Sequence, residues 1–243
     1  KGILMSRTNK RSAQNSERPR TSESKERKLR IDDLASLKPL TTTQKLAIEE
    51  YRDGKNLMLH GVSGTGKTYL ASSLAFEEVL DPSYPYQKVV YVRSAVSTRE
   101  IGFLKGDEKE KVAVYELPYV AICRELFGLS NSYELLKNQG VVDFISTSFI
   151  RGHTFKDTIL IVDEFENLNF HELDSIITRP GENCKVIFCG DYAQSDFTKT
   201  NEKTGCLDFM KIIRELKDYS LIEFGIPDIV RSKAVKDYII AKY

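Results

Sequence analysis

The eight residues Gly61-Val62-Ser63-Gly64-Thr65-Gly66-Lys67-Thr68 fit the pattern G-x-x-x-x-G-K-[ST], and the apolar run Asn56-Leu57-Met58-Leu59-His60 stands directly before them. A loop of this kind works only between a strand and a helix, so this one segment already commits the chain to an α/β arrangement. Its glycines let backbone N–H groups converge on phosphate oxygens without Cβ obstruction. Lys67 is placed to reach β and γ phosphates, and Thr68 to set its hydroxyl on Mg²⁺. Apolar residues recur at helical spacing through Tyr69-Leu70-Ala71-Ser72-Ser73-Leu74-Ala75-Phe76, which predicts a helix from Lys67 with its N-terminal dipole end toward the phosphates. The segment reads as a nucleoside triphosphate site, with Gly61, Ser63, Gly64, Thr65, Gly66, Lys67, Thr68 and Tyr69 around the ligand.

Strand-like runs recur at 56–60, 88–92, 142–145, 159–162, 185–189 and 220–224, with helical patterns at 67–79, 112–127, 170–178, 205–216 and 228–241. Thr41 to Thr43 can cap a further helix through Gln44 to Tyr51, stopping near Asp53-Gly54. The alternation predicts a mostly parallel sheet with helices on both faces. Near-continuous apolar strands suit a sheet covered on both sides. The run Ile159-Leu160-Ile161-Val162 ends in Asp163-Glu164, which brings two carboxylates out at the C-terminal edge of a strand, where such sheets bind ligands. Asp163 suits Mg²⁺ held through a water shell, and Glu164 suits orienting or deprotonating an attacking water. Another strand ends in Gly190-Asp191-Tyr192-Ala193-Gln194, setting Gln194 to bond a γ-phosphate or the lytic water.

Net charge is +1, but residues 1–30 carry ten Lys or Arg against three acids while the remainder carries 26 bases against 32 acids. Between Ser6 and Lys28 almost every residue is charged or small and polar, too little apolar surface to offset the entropy of ordering. Residues 1–33 are therefore expected to be a basic flexible arm, either touching nucleic-acid phosphates or serving as a solubilising tail. Folded structure is expected over 34–243 as one domain. No stretch reaches the roughly 18 apolar residues of a membrane span, and no N-terminal apolar segment reads as a secretory signal, so the cytoplasm is the expected compartment. Cys123, Cys184, Cys189 and Cys206 form no C-x-x-C pair and read as structural thiols without metal.

Taken in order, these segments resemble a PhoH-family ATPase, a group related to the core of superfamily 1 helicases, across about residues 38–243. Beyond the phosphate loop the resemblance rests on Gly102-Phe103-Leu104-Lys105-Gly106 with Glu110-Lys111 and Pro118, on Phe149-Ile150-Arg151-Gly152-His153-Thr154, on Val162-Asp163-Glu164-Phe165-Glu166-Asn167, on Thr178-Arg179-Pro180-Gly181, on Gly190 to Asp196 and on Asp228-Ile229-Val230-Arg231. It implies a RecA/helicase-like P-loop NTPase fold, with ATP and Mg²⁺ as ligands. It assigns Gln44 to the adenine edge, where an amide bonds both donor and acceptor, and Arg231 to the transferring phosphate, within its own chain or across a subunit boundary.

The resemblance further implies a homo-oligomer, a hexameric ring if Arg231 acts in trans, coupling to RNA or single-stranded nucleic acid, and association with a separate ribonuclease. Tyr84, Tyr86, Arg93, Arg99, Phe103 and Lys105 offer a stacking and phosphate-contacting edge. The chain departs from the family pattern at Val62-Ser63, Ser94 and Lys105, and most consequentially at Glu166, which stands where glutamine is usual. A third carboxylate there bears on anion and metal affinity. The competing reading is a nucleotide-gated scaffold or partner-binding switch with little hydrolysis, and a small-molecule kinase is a third.

Overall fold

A computed structural model of the chain describes residues 27–94, 108–191 and 200–242, the backbone alone for 108–112 and 200–204. Gln194, Arg99, the segment from Gly102 to Gly106 and the basic stretch up to residue 26 lie outside the described residues.

Six strands, β1 (Asn56–Gly61), β2 (Lys88–Arg93), β3 (Val142–Ser146), β4 (Thr158–Asp163), β5 (Cys184–Gly190) and β6 (Tyr219–Phe224), form one sheet in the order β3-β2-β4-β5-β1-β6. Every neighbouring pair is parallel. Parallel pairing requires crossovers. Helix α2 (Lys67–Val79) supplies one, α3 (Glu108–Phe127) with α4 (Ser132–Asn138) another, and α5 (Phe170–Ile177) and α6 (Thr200–Arg214) two more. The first helix, α1 (Thr42–Arg52), precedes β1, and α7 (Lys233–Lys242) follows β6.

Side-chain alternation along each strand fills two cores. Leu57, Tyr91, Ile161 and Ile187 lie side by side across neighbouring strands and pack under α1, α2, α3 and α4 together with Phe76, Tyr119 and Phe127. Their neighbours Met58, Val90, Leu160, Val162 and Phe188 point the other way and meet Leu173, Ile176, Phe209 and Ile213 of α5 and α6. The helix patterns of the sequence mirror this division. Burying one such side chain is worth about 1.5–3 kcal/mol, so both faces contribute and neither can be left to water. The result is the mostly parallel α/β sheet expected of a P-loop NTPase.

Several boundaries differ from the sequence reading. Helix α4 lies outside the helical patterns of the sequence. α3 starts at Glu108 rather than 112, and α6 at Thr200 rather than 205. α7 starts at Lys233 rather than 228, because Pro227 and Asp228 are used in a 3-10 turn, Ile226–Asp228, where Asp228 Oδ2 accepts from Gly225 N at 2.9 Å. The border drawn at residue 33/34 falls inside a packed stretch. Leu29 is buried, and its backbone exchanges two hydrogen bonds with the Gln139 side chain, at 3.0 and 3.1 Å.

Strand register decides what meets at the C-terminal edge of the sheet. Val92 pairs with Val162, Asp163 with Cys189, and Gly190 with His60. Arg93, the Asp163-Glu164 pair, Gly190-Asp191 and the Gly61 loop therefore all emerge together. β5 lies between β4 and β1, spacing the acidic pair one strand away from the phosphate loop.

Candidate nucleotide and metal site

Gly61 leaves β1 at φ +111, where a Cβ would collide with the Phe224 carbonyl of β6, so only glycine lets the loop start this close to its neighbour. Gly66 takes φ 80 and caps α2 with no side-chain hydrogen bond, which leaves the positive end of the helix dipole open to an anion. Lys67 Nζ donates to the carbonyls of Gly61 and Val62, both at 2.8 Å, and to Thr65 Oγ1 at 3.3 Å. Burial lowers the pKa of this ammonium, and the oxygen partners keep it satisfied. The cation thus occupies its own loop.

Thr68 Oγ1 donates to Asp163 Oδ1 at 2.8 Å, joining the first turn of α2 to the end of β4. The other carboxylate oxygen accepts from Tyr119 Oη of α3 at 3.2 Å. Tyr119 is fully buried and stacks on Tyr91, with ring centroids 4.0 Å apart. Tyr91 Oη donates to Ser72 Oγ at 2.8 Å, and Ser72 Oγ to the Thr68 carbonyl at 2.7 Å. A closed set of contacts therefore ties α2, α3, β2 and β4 around one carboxylate. Burial raises the Asp163 pKa, against the opposing hydrogen bond from Thr68. A hydroxyl and a carboxylate are the hard oxygen donors that Mg²⁺ takes, and two protein ligands suit an ion that keeps several waters. Among the described residues no group of three or more His, Cys, Asp or Glu converges to hold a metal.

Glu164 follows with its backbone in the left-handed region, φ 50 and ψ 45, an uncommon state for a side chain of this kind. Its Oε2 lies 2.5 Å from an Arg93 guanidinium nitrogen. Burial raises the Glu164 pKa and the Arg93 charge opposes the rise. Two residues on, Glu166 is buried and its carboxyl is pushed up to about 7, chiefly by that burial. Gly190 makes room for it, since a Cβ at 190 would collide with Glu166 Oε2 and lie 2.7 Å from the Phe165 ring.

These groups surround a cleft of about 830 Å³, a size suited to a nucleotide. Ser63, Gly64, Thr65, Gly66, Lys67, Thr68, Tyr69, Gln44, Asp163, Glu164 and Arg231 all line it, so most residues picked from the sequence converge; Gly61, at the start of the loop, does not line it, and Gln194 is outside the described residues. Gln44 braces the loop: its Nε2 donates to the Thr65 carbonyl at 3.0 Å and its Oε1 accepts from Leu40 N at 2.8 Å. One N–H and one lone pair of the amide remain for a base edge. Arg231 lies against the phosphate loop of its own chain. A Cβ built on Gly64 would come 3.0 Å from Arg231 Cγ, and Val230 N donates to the Gly64 carbonyl at 3.0 Å.

The proposed stacking edge is not assembled as expected. Tyr84 and Tyr86 precede β2 while Arg93 ends it, which sets them about 20 Å apart. Tyr86 instead approaches the buried Lys185–Glu78 pair. Sequence reasoning named Pro118 only as part of a family motif, and missed Tyr119 and the rest of the α3 wall, Ala121, Ile122 and Glu125. It also missed the tie between Arg93 and Glu164, although an arginine closing a strand beside the acidic one was a usable signal.

A family profile described as PhoH-like protein matches residues 36–243. Among similar proteins, a PhoH-like protein of Bacillus subtilis (strain 168) is 32% identical over 182 residues, 74% of this chain and 56% of its own. Protein PhoH of Escherichia coli (strain K12) is 31% identical over 174 residues, 71% of this chain and 48% of its own. The chain thus spans about half the length of the curated relatives it matches. Similar solved structures include the large terminase from a thermophilic bacteriophage, with TM-score 0.49 and 13% identity over 85% of this chain and 51% of that one. The Pyrococcus furiosus Hef helicase domain has TM-score 0.47 and 13% identity, covering 76% and 39%.

Proposed function

Because this chain belongs to the PhoH-like protein family, we propose that it is a Mg²⁺-dependent ATPase whose turnover is coupled to RNA or single-stranded nucleic acid. The observation that carries the reading is the 2.8 Å bond between Thr68 and Asp163. It brings the last residue of the phosphate loop and the carboxylate of a strand 95 positions away to one point, at the open edge of a parallel sheet.

In this reading the triphosphate enters over the N-terminus of α2, and Lys67 exchanges its carbonyl partners for β and γ phosphate oxygens. Thr68 and Asp163 would hold Mg²⁺, which would supply positive charge to offset that of the phosphates. Glu164 takes the proton as water adds to the γ phosphorus and the bond to the bridging oxygen breaks, leaving ADP and inorganic phosphate. Arg231 steadies charge on the transferred group, and Gln194 orients the water. Gln44 selects adenine with the amide capacity left after bracing the loop.

Arg231 beside its own chain's loop supports action in cis. In that case a ring built on an arginine in trans is not required, so oligomerisation rests on the family alone, as does a ribonuclease partner, while a cytoplasmic location rests on the apolar pattern of the sequence. Among the described residues no helix is long and apolar enough to cross a membrane.

A second reading, a nucleotide-gated scaffold with little hydrolysis, is favoured by the Arg93–Glu164 pair, which occupies the carboxylate that hydrolysis needs. Steady-state ATP hydrolysis with Mg²⁺, with and without single-stranded RNA, on wild type, Lys67→Ala and Glu164→Gln separates them. Turnover that RNA accelerates and both variants lose supports the ATPase. Tight binding with no turnover under any condition refutes it.

A further inference from the structure

We propose that Arg93 is a restraint on Glu164, holding the catalytic carboxylate away from the phosphate site until an anionic strand of nucleic acid takes the guanidinium in its place. The inference rests on the ATPase reading above and adds how that same site is kept idle.

The sheet order gives the ion pair its direction. β2 lies on one side of β4, while β5 and then β1 with its phosphate loop lie on the other. Arg93 ends β2 and Glu164 follows β4, so the 2.5 Å contact draws the carboxylate toward the side opposite Lys67. Glu164 lines the cleft and Arg93 does not, which makes the arginine a tether from behind. A carboxylate oxygen in a charge-assisted bond of this length is a poor acceptor for a proton from water, because its electron density already serves the guanidinium.

The pair is also set up to be exchanged. Its two side chains are 21% and 40% exposed, unlike the Lys185–Glu78 pair at 9% and 7%, so solvent and ligands reach the first and not the second. Tyr119 and Asp163 lie in the electrostatic field of the same guanidinium, but Asp163 keeps its own bonds to Thr68 and Tyr119. Losing Arg93 therefore removes the charged partner of Glu164, leaving it only the neutral hydrogen bond with Asn167, and leaves the metal-binding carboxylate held. A guanidinium exchanges a carboxylate for phosphodiester oxygens without altering its own planar geometry, and single-stranded nucleic acid is the polyanion that the ATPase reading already names. The left-handed backbone at Glu164 holds the main chain while the side chain changes partner, in keeping with strained backbone at sites that switch.

Purified full chain as wild type, Arg93→Ala, Arg93→Lys and Arg93→Ala/Glu164→Gln tests the restraint. ATP binding is measured by fluorescent nucleotide titration, and kcat and KM are measured with and without oligouridylate. The expected result is that Arg93→Ala raises kcat about fivefold without oligonucleotide at unchanged KM, equivalent to about 1 kcal/mol. It then gains nothing further from oligouridylate, and it loses turnover when Glu164→Gln is added. Arg93→Lys, which keeps the charge but not the fork, falls between. A fall in kcat for Arg93→Ala, no change, or retained stimulation by oligouridylate would overturn the restraint, and a damaged fold could not produce a rise. Nucleotide binding with no turnover in wild type and Arg93→Ala alike, or absence of nucleotide binding in every protein, overturns the ATPase reading and the restraint with it, whereas turnover in wild type that Arg93→Ala does not raise overturns the restraint alone.

Discussion

Replacing Glu166 with glutamine should change how stability depends on pH, and the size of the change follows from where the carboxyl sits. Burial moves it from 4.5 in the unfolded chain to about 7 in the fold. Below pH 4.5 both states hold the proton and its contribution is complete. Between 4.5 and 7 the unfolded chain releases the proton while the fold retains it, so stability falls as pH rises. Above 7 the fold must bury a charge. At about 1.4 kcal/mol per pH unit the whole loss is about 3 kcal/mol. Glutamine fills the same pocket beside Gly190 with no charge to bury. In EDTA and without nucleotide, Glu166→Gln should match wild type near pH 4.5 and exceed it at pH 8. For a domain of this size the excess corresponds to about 6–12 °C in Tm. Melts followed by circular dichroism from pH 4.5 to 8 measure it. Two parallel curves, with a gap that does not widen as pH rises, would refute the burial argument.

Tyr119→Phe removes one of the two side-chain bonds that orient Asp163, and should raise the Mg²⁺ concentration needed for half-saturation of nucleotide binding about tenfold; an unchanged titration would show that the carboxylate is fixed without Tyr119. Gly61→Ala meets both a positive φ and the Phe224 carbonyl and should cost more than about 1 kcal/mol in urea unfolding, with nucleotide binding lost; a variant as stable as wild type contradicts the close approach of β6. Arg231→Ala should spare ATP binding and lower kcat about a thousandfold, and an equimolar mixture with Lys67→Ala should stay inactive. Activity recovered on mixing would mean that the arginine serves a neighbouring chain.

Most of the scaffold was legible because its signals are local. α2 was bounded at 67–79 as observed, since the loop glycine stops the strand and the apolar spacing starts at once. The strands gave themselves up as short apolar runs between turns. α4 escaped because seven residues, Ser132–Asn138, are too few to show a helical period. Leu29 escaped because a single apolar residue inside a run of charge carries no pattern, and its backbone is held by Gln139, 110 positions away. The site divides in the same way. The motifs themselves were readable, but Tyr119 on Asp163 and Arg93 on Glu164 are contacts between distant segments, and they exist only once the sheet order is known.

Lys67 gives the phosphate loop the character of an ion exchanger. Its ammonium already holds oxygens of Gly61, Val62 and Thr65, so a ligand does not meet a bare charge and must offer replacements for oxygens in place. A small anion such as sulfate supplies few and returns little beyond what it displaces. A triphosphate tail supplies several at once, spread along the loop and the start of α2. Selection at the mouth of this cleft should therefore follow the number and spacing of oxygens more than charge alone, and free phosphate should compete weakly with a nucleotide.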